Sequence, residues 1–156
     1  MPDRKDPSLN EPAPSAEDLR KTVVSSKMEE IQLREKVRVA EQKMLEDFAA
    51  DFLGNDVSEE ELAKVRRLVM TAVKKGAYEA LVYSFPCRLC TDQGRAINNV
   101  APNWPETLTG KAKQLYERFN ANAKPKGYKL KATIISFPDG MPGDVGLFLN
   151  WAPDRV

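Results

Sequence analysis

Apolar residues in the first third of the chain recur at helical spacing over a long stretch that contains no helix breaker. Neither proline nor glycine occurs from Ser15 to Leu53, and a serine followed by Glu17 and Asp18 is typical of a helix start. The apolar positions form two sets, each on one helical face but out of register with the other. These sets are Val24, Met28 and Ile31, and Leu33, Val37, Ala40, Met44, Phe48 and Phe52. We predict one continuous helix, with two helices broken near residues 23–26 as the alternative.

A second helix is predicted after a short loop. Gly54 suits the left-handed position that ends a helix, and Ser58 with Glu61 forms a capping box that starts the next one. The following apolar positions lie on one face, up to Gly76. They are Leu62, Val65, Leu68, Val69, Ala72 and Val73. Because the loop is short, we expect the two helices to form an antiparallel hairpin.

Beyond residue 77 the pattern changes to strands. Residues 78–85 are rich in aromatic and branched side chains, as in a buried strand, and a short helix is predicted through residue 97. Residues 108–123 have an amphipathic helical pattern. Residues 128–137 alternate between apolar and polar side chains, which predicts a strand with one solvent-facing side. A hairpin loop then precedes the last strand, residues 145–151.

This order of elements predicts an α+β fold: a long N-terminal helix and a helical hairpin, followed by a β-α-β-β unit. The unit is expected to form a small three-stranded mixed sheet, with the first two strands parallel across a right-handed crossover and the last two antiparallel. We predict a disordered tail at 1–14, a long helical arm at 15–56 that is a candidate coiled coil, and a compact α/β domain at 57–156.

Composition limits the available chemistry. The 156 residues carry a formal net charge of +1, so bulk charge favours neither nucleic acid nor an anionic membrane as a partner. The chain has no histidine, which excludes Ser-His-Asp and Cys-His catalysis and zinc sites that need imidazole. No apolar run reaches the length of a membrane span, and because the first residues include no apolar segment we expect no secretory signal. We expect a cytoplasmic protein with reduced cysteines, no membrane association, no metal and no cofactor.

Two cysteines have the spacing of a redox motif. Cys87 and Cys90 form a C-x-x-C between a predicted strand and a predicted helix, which indicates thiol chemistry if Cys87 is an exposed thiolate. The interpretation that we favour is a pair of cysteines at the edge of the core. The best helix caps, Thr91 and Asp92, come after the cysteines and so leave them away from the helix N-terminus.

A polar run after the first predicted strand is the candidate ligand or partner site. Its members are Thr91, Asp92, Arg95, Asn98 and Asn99. Ligands of α/β sheets bind beyond the carboxyl ends of strands, where a helix N-terminus can hold an anion. The interpretation that we favour is local: Thr91 caps a helix, Arg95 pairs with Asp92, and the asparagines form a turn.

A cluster of lysines is the candidate basic patch. Its members are Lys124, Lys126, Lys129 and Lys131. Lysines beside aromatic residues can contact nucleic-acid phosphates and stack on bases. The interpretation that we favour is a solvated sheet edge, which lysines protect against aggregation.

Three segments carry a resemblance: residues 84–99, 124–128 and 137–151. With them, residues 60–152 resemble a family of small uncharacterised proteobacterial proteins. The resemblance implies a bacterial, cytoplasmic setting, and it implies no activity and no catalytic residues.

Together these features predict a non-catalytic interaction or regulatory protein. Its N-terminal helix would self-associate or dock on a protein partner. The alternatives are a thiol-based redox enzyme that uses Cys87 and Cys90, and a nucleic-acid binder that uses the lysine cluster.

Overall fold

The computed structural model describes residues 12–153, so most of the tail predicted at 1–14 lies outside the described residues. The helices are α1 (Ala16–Gly54), α2 (Glu59–Lys74), α3 (Arg95–Asn98) and α4 (Gly110–Arg118). The strands are β1 (Glu79–Pro86), β2 (Lys129–Ile134) and β3 (Asp144–Asn150). The predicted α+β class is confirmed. Among the described helices, none combines the length and the hydropathy of a membrane span.

Helix α1 runs without interruption for 39 residues, which confirms the prediction of one continuous helix. At its start the Ser15 hydroxyl accepts a hydrogen bond from the Asp18 amide at 3.1 Å. Within residues 12–153, the chain divides into two compact units, one up to Glu46 and one from Asp47 onward. This boundary falls inside α1, because the last turns of the helix belong to the core of the second unit.

Helix α2 begins with the predicted capping box. The Ser58 hydroxyl accepts from the Glu61 amide at 3.1 Å, and the Ser58 amide donates to the Glu61 carboxylate at 3.2 Å. The loop between α1 and α2 is tied to α4, since the Val57 amide donates to the Gln114 side chain at 2.8 Å. These contacts fix the start of α2 on α4.

The sheet has the strand order β1-β3-β2, and both pairs of neighbours are antiparallel. The prediction of a mixed sheet was therefore wrong, although β2 and β3 pair as predicted. Strands β1 and β2 do run in the same direction, but β3 lies between them. Residues Val145, Gly146 and Leu147 of β3 are buried, so this strand suits the centre, whereas β2 exposes a lysine at every second position of its first half and suits an edge.

The core of the second unit is centred on Phe52 of α1, which has no exposed surface. Its ring stacks on Phe85 of β1 at a centroid distance of 5.3 Å and on Phe48 at 5.9 Å. Gly110, at the start of α4, has a φ of +51°, and a Cβ there would clash with the carbonyl oxygen and ring of Phe52. Only glycine combines this backbone conformation with this close approach.

Lys111 of α4 is the one charged residue that is buried within residues 12–153, with 3% of its surface exposed. Its Nζ atom lies 2.6 Å from Oδ2 of Asp51 in α1 and 2.6 Å from Oε1 of Glu61 in α2. A buried ammonium is tolerated when it is paired and hydrogen-bonded. Lys111 therefore joins three helices at one point.

The pKa values in this cluster favour the charged forms. Burial alone would lower the pKa of Lys111, but the hydrogen bonds with Asp51 and Glu61 outweigh it and raise this pKa. Burial alone would raise the pKa of Glu61, but hydrogen bonds from Lys111 and Ser58 outweigh it and lower this pKa. Hydrogen bonds from Lys111 and Asn55 lower the pKa of Asp51. All three groups are thus charged at neutral pH.

We expect the two sides of the Lys111 cluster to differ in their effect on stability. The double substitution Asp51→Asn/Glu61→Gln leaves a buried ammonium without a counter-ion, which is strongly destabilising. Lys111→Met removes that charge and leaves two carboxylates whose side chains are 54% and 31% exposed. The double variant should therefore lose more free energy of unfolding in urea denaturation than Lys111→Met. An equal or smaller loss would contradict this account of the cluster.

The same cluster predicts a dependence of stability on pH. A carboxylate with a lowered pKa in the folded state stabilises the fold above its unfolded pKa, and this contribution is lost as the pH falls through the folded value. As the pH falls below the ordinary Glu pKa of 4.5, the free energy of unfolding of the wild type should decrease more steeply than that of Lys111→Met. Parallel slopes for the two proteins in acid urea titrations would refute the coupling.

Candidate functional site

An apolar groove lies between α2, the end of α4 and the sheet. Its volume is about 440 Å³, within the range of small-molecule sites. The apolar lining is Leu62 and Val65 of α2, Leu115 of α4, Phe119 and Ala123 beyond α4, and Val82, Leu130, Leu147 and Leu149 of the sheet. Its lining therefore comes from two helices, the turn that follows α4, and all three strands of the sheet.

Four polar side chains border the apolar groove: Glu59, Arg66, Arg118 and Asn122. Both arginines are exposed residues. Neither of them has an ion-pair partner within 4.0 Å in the part of the chain that the structure describes. Two arginines and one glutamate give the lining a net positive charge.

A π-helical turn forms one wall of the groove. Helix α4 continues directly into residues Phe119–Ala123 with π geometry, and the Lys124 amide donates to the Phe119 carbonyl five residues earlier. This wider turn places Phe119, Asn122 and Ala123 on the groove. Single π turns are rare and recur at functional sites.

The predicted ligand site at residues 91–99 lies outside the apolar groove, and its carboxylate binds backbone amides of the same segment. Instead of pairing with Arg95, the Asp92 carboxylate accepts hydrogen bonds from the amides of Gly94 and Ala96, at 3.0 and 2.8 Å. Helix α3 begins only at Arg95, because Gln93 and Gly94 have φ values of 60° and 85°. The side chain that accepts the amide hydrogen bonds of this turn is therefore that of Asp92, and not that of Thr91.

The remaining polar members of that run face solvent. Thr91, Arg95, Asn98 and Asn99 are exposed, while Ala96 and Ile97 between them are buried. None of the five candidate residues lines the apolar groove. A helix of four residues also has too few aligned peptide dipoles to hold an anion at its N-terminus. The run therefore acts as a turn whose apolar residues fill the core.

Both cysteines are buried members of the core, Cys87 with 8% and Cys90 with 4% of the surface exposed. Burial raises the pKa of the Cys87 thiol, and it raises that of Cys90 to about 11. The Cys87 thiol donates to the carbonyl oxygen of Pro142 at 3.3 Å. Nucleophilic cysteines need a lowered pKa and access, so this environment suits structural thiols.

The four lysines of the predicted basic patch are all exposed and divide into two pairs. Lys124 and Lys126 flank a proline in a short 3-10 helix, and Lys129 and Lys131 alternate along β2. Lys131 lies 3.5 Å from the Glu79 carboxylate and 5.9 Å from the centre of the Phe148 ring. Part of the positive charge of the patch is therefore already compensated on the sheet.

Sequence reasoning missed the two polar features that the structure brings out, the Lys111 cluster and the arginines of the groove. Leu62 and Val65 were predicted on an apolar helix face, and Leu115 lies in the predicted amphipathic helix at 108–123. Spacing along a helix, however, does not reveal a gap between helices. Lys111 falls between apolar positions in the predicted helix, which is the one signal of its burial. Within residues 12–153, no group of three His, Cys, Asp or Glu side chains could hold a metal.

We expect both thiols to react slowly in the folded protein. With a pKa of about 11, about one in a thousand Cys90 side chains is a thiolate at pH 8. An aromatic disulfide reagent should therefore modify Cys87→Ser, which retains Cys90, far more slowly in buffer than in urea. Cys90→Ser should behave similarly, because Cys87 is also buried. Rapid modification of Cys87 at neutral pH would restore the redox hypothesis.

Comparison of the chain with protein-family models, with curated proteins and with solved structures finds no match in any of the three. The resemblance to a family of small uncharacterised proteobacterial proteins therefore stays a prediction. A function can therefore be proposed only from the sequence and structure of this chain.

Proposed function

We propose that this is a non-catalytic interaction protein whose N-terminal helix pairs with a second copy of the chain as a parallel coiled coil. The observation that carries the proposal is the exposure of α1 within the first unit. Ten large apolar side chains between residues 19 and 45 are from 39% to 72% exposed. Apolar exposure on this scale is characteristic of an interaction surface.

A heptad pattern supports a coiled coil. Positions spaced alternately by four and three residues form one seam along the first part of α1. The seam is Leu19, Val23, Ser26, Glu30, Leu33, Val37, Ala40 and Met44. Ser26 and Glu30 interrupt it, and the other positions are apolar. Residues 16–46 would extend about 46 Å, which is enough for about four heptads.

The charges beside the seam favour a second copy in parallel orientation. Flanking positions of a coiled coil usually carry charges, and in a parallel pair each g position faces the next e position of the other helix. Here Glu29 would face Arg34 of the second copy, and Lys36 would face Glu41. Both pairs attract. Glu30 would face its own equivalent, so the seam has one unfavourable position.

Two other functions receive less support from the geometry. A thiol redox enzyme needs an accessible thiolate, whereas both cysteines are buried and have raised pKa values. A nucleic-acid binder needs uncompensated positive charge, whereas Lys131 is already paired with Glu79.

The oligomeric state of the full chain tests the proposal. We expect light scattering at tens of micromolar to give twice the mass of the 17.5 kDa chain, and Leu33→Asp/Met44→Asp to give a monomer, because it places charges in the apolar seam. The matched control is Gln32→Asp/Gln42→Asp, which adds the same charge away from the seam. A monomeric wild type, or dissociation by the control as well, would refute the coiled coil.

Replacement of the unfavourable seam residue should have the opposite effect. Glu30→Leu removes a like-charge contact and adds buried apolar surface. We therefore expect the dissociation constant of the dimer to fall by roughly tenfold or more. Sedimentation equilibrium measures this change. Glu35→Leu, which changes the same residue type on the opposite side of the helix, should leave the dissociation constant close to that of the wild type. Weaker association of Glu30→Leu would show that this seam is not the interface.

A further inference from the structure

The apolar groove has the size of a small-molecule site. Its volume of about 440 Å³ equals roughly fifteen water molecules in the liquid, which corresponds to a ligand of about 10–15 non-hydrogen atoms. An α-helix about 10 Å across fills roughly 420 Å³ per turn. The groove would thus hold about one turn of a helix, too little for a helical peptide, and a small molecule fits it better.

The lining indicates an apolar ligand body. Leucines from all three sides, such as Leu62 of α2, Leu115 of α4 and Leu149 of β3, face the same space. Leu147 of the same strand has no exposed surface and lies beneath the groove, so the floor is packed and keeps its shape. An aliphatic or aromatic group placed there gains roughly 25 cal/mol for each Å² of apolar surface removed from water.

The border of the groove indicates a single negative charge on that ligand. Arg66 and Arg118 come from different helices, and neither has an ion-pair partner among the described residues. Glu59 precedes Arg66 by seven residues, about 10 Å along α2, and so cannot neutralise it directly. Arginine is well suited to bind carboxylates through paired hydrogen bonds. A net charge of +1 on the lining complements a monoanion better than a dianion.

We propose that the apolar groove binds a small amphipathic carboxylate, with its apolar body on the sheet and its carboxylate at the arginines of the border. The π turn at Phe119–Ala123 forms the wall of the groove on the α4 side. This site lies in the second unit, from Asp47 onward, and does not depend on self-association through α1.

Calorimetric titration of the full chain with decanoate tests the proposal, with decan-1-ol and decylammonium as probes of equal length and different charge. We expect decanoate to bind once per chain in the high micromolar range, the alcohol to bind more weakly, and the ammonium not to bind. Arg66→Gln/Arg118→Gln should weaken decanoate binding roughly tenfold or more, because charge-assisted hydrogen bonds are lost. Arg67→Gln, which removes an exposed arginine that does not line the groove, should bind as the wild type does.

Two further variants separate this site from other apolar surfaces. Val65→Phe fills the groove and should abolish binding, with circular dichroism and the melting temperature used to verify the fold. Leu33→Asp/Met44→Asp changes only the exposed part of α1 and should retain full affinity. The proposal is overturned if decanoate fails to bind, if the arginine variant binds as well as the wild type, or if the α1 variant alone loses binding. A monomeric wild type with intact decanoate binding would refute only the coiled coil.

Discussion

The buried ammonium of Lys111 is the constraint on which the arrangement of the second unit depends. An ammonium enclosed in protein needs anions within hydrogen-bond distance, and Asp51 and Glu61 provide them from two other helices. The lysine therefore sets where the last turns of α1 and the first turn of α2 meet α4. Gly110, the preceding residue, allows the backbone of α4 to approach Phe52 closely enough for this geometry. Electrostatic pairing and close packing thus act at the same place in the chain.

Local patterns predicted the elements well, because each depends on residues near in sequence. The unbroken α1 follows from the absence of proline and glycine, and the start of α2 follows from Ser58 and Glu61. The strand order did not follow, because it depends on competition between β2 and β3 for the central position. Burial decides that competition: Val145 and Leu147 of β3 are fully buried, whereas β2 has to keep its lysines in solvent.

Candidate sites were harder to predict than elements. The polar run at 91–99 and the two cysteines are the most distinctive motifs of the sequence. In the structure the polar run forms a turn, and the cysteines are buried in the core. The apolar groove consists of residues that look unremarkable one at a time, since Leu62 or Leu115 has the same pattern in a filled core. Whether two helix faces meet or diverge is set by contacts between distant residues, such as that of Lys111 with Glu61, and spacing along the chain does not report it.

The π turn after α4 has a consequence for the tolerance of this chain to changes in length. A π turn accommodates one residue more than an α turn between hydrogen-bonded groups, and here the extra residue falls within Phe119–Ala123. Loss of a single residue in this segment would let a regular α-helix continue, which would rotate the following side chains by about 100°. Asn122 and Ala123 would then leave the wall of the groove. The shape of the apolar groove thus depends on the number of residues in Phe119–Ala123 as much as on their chemical identity.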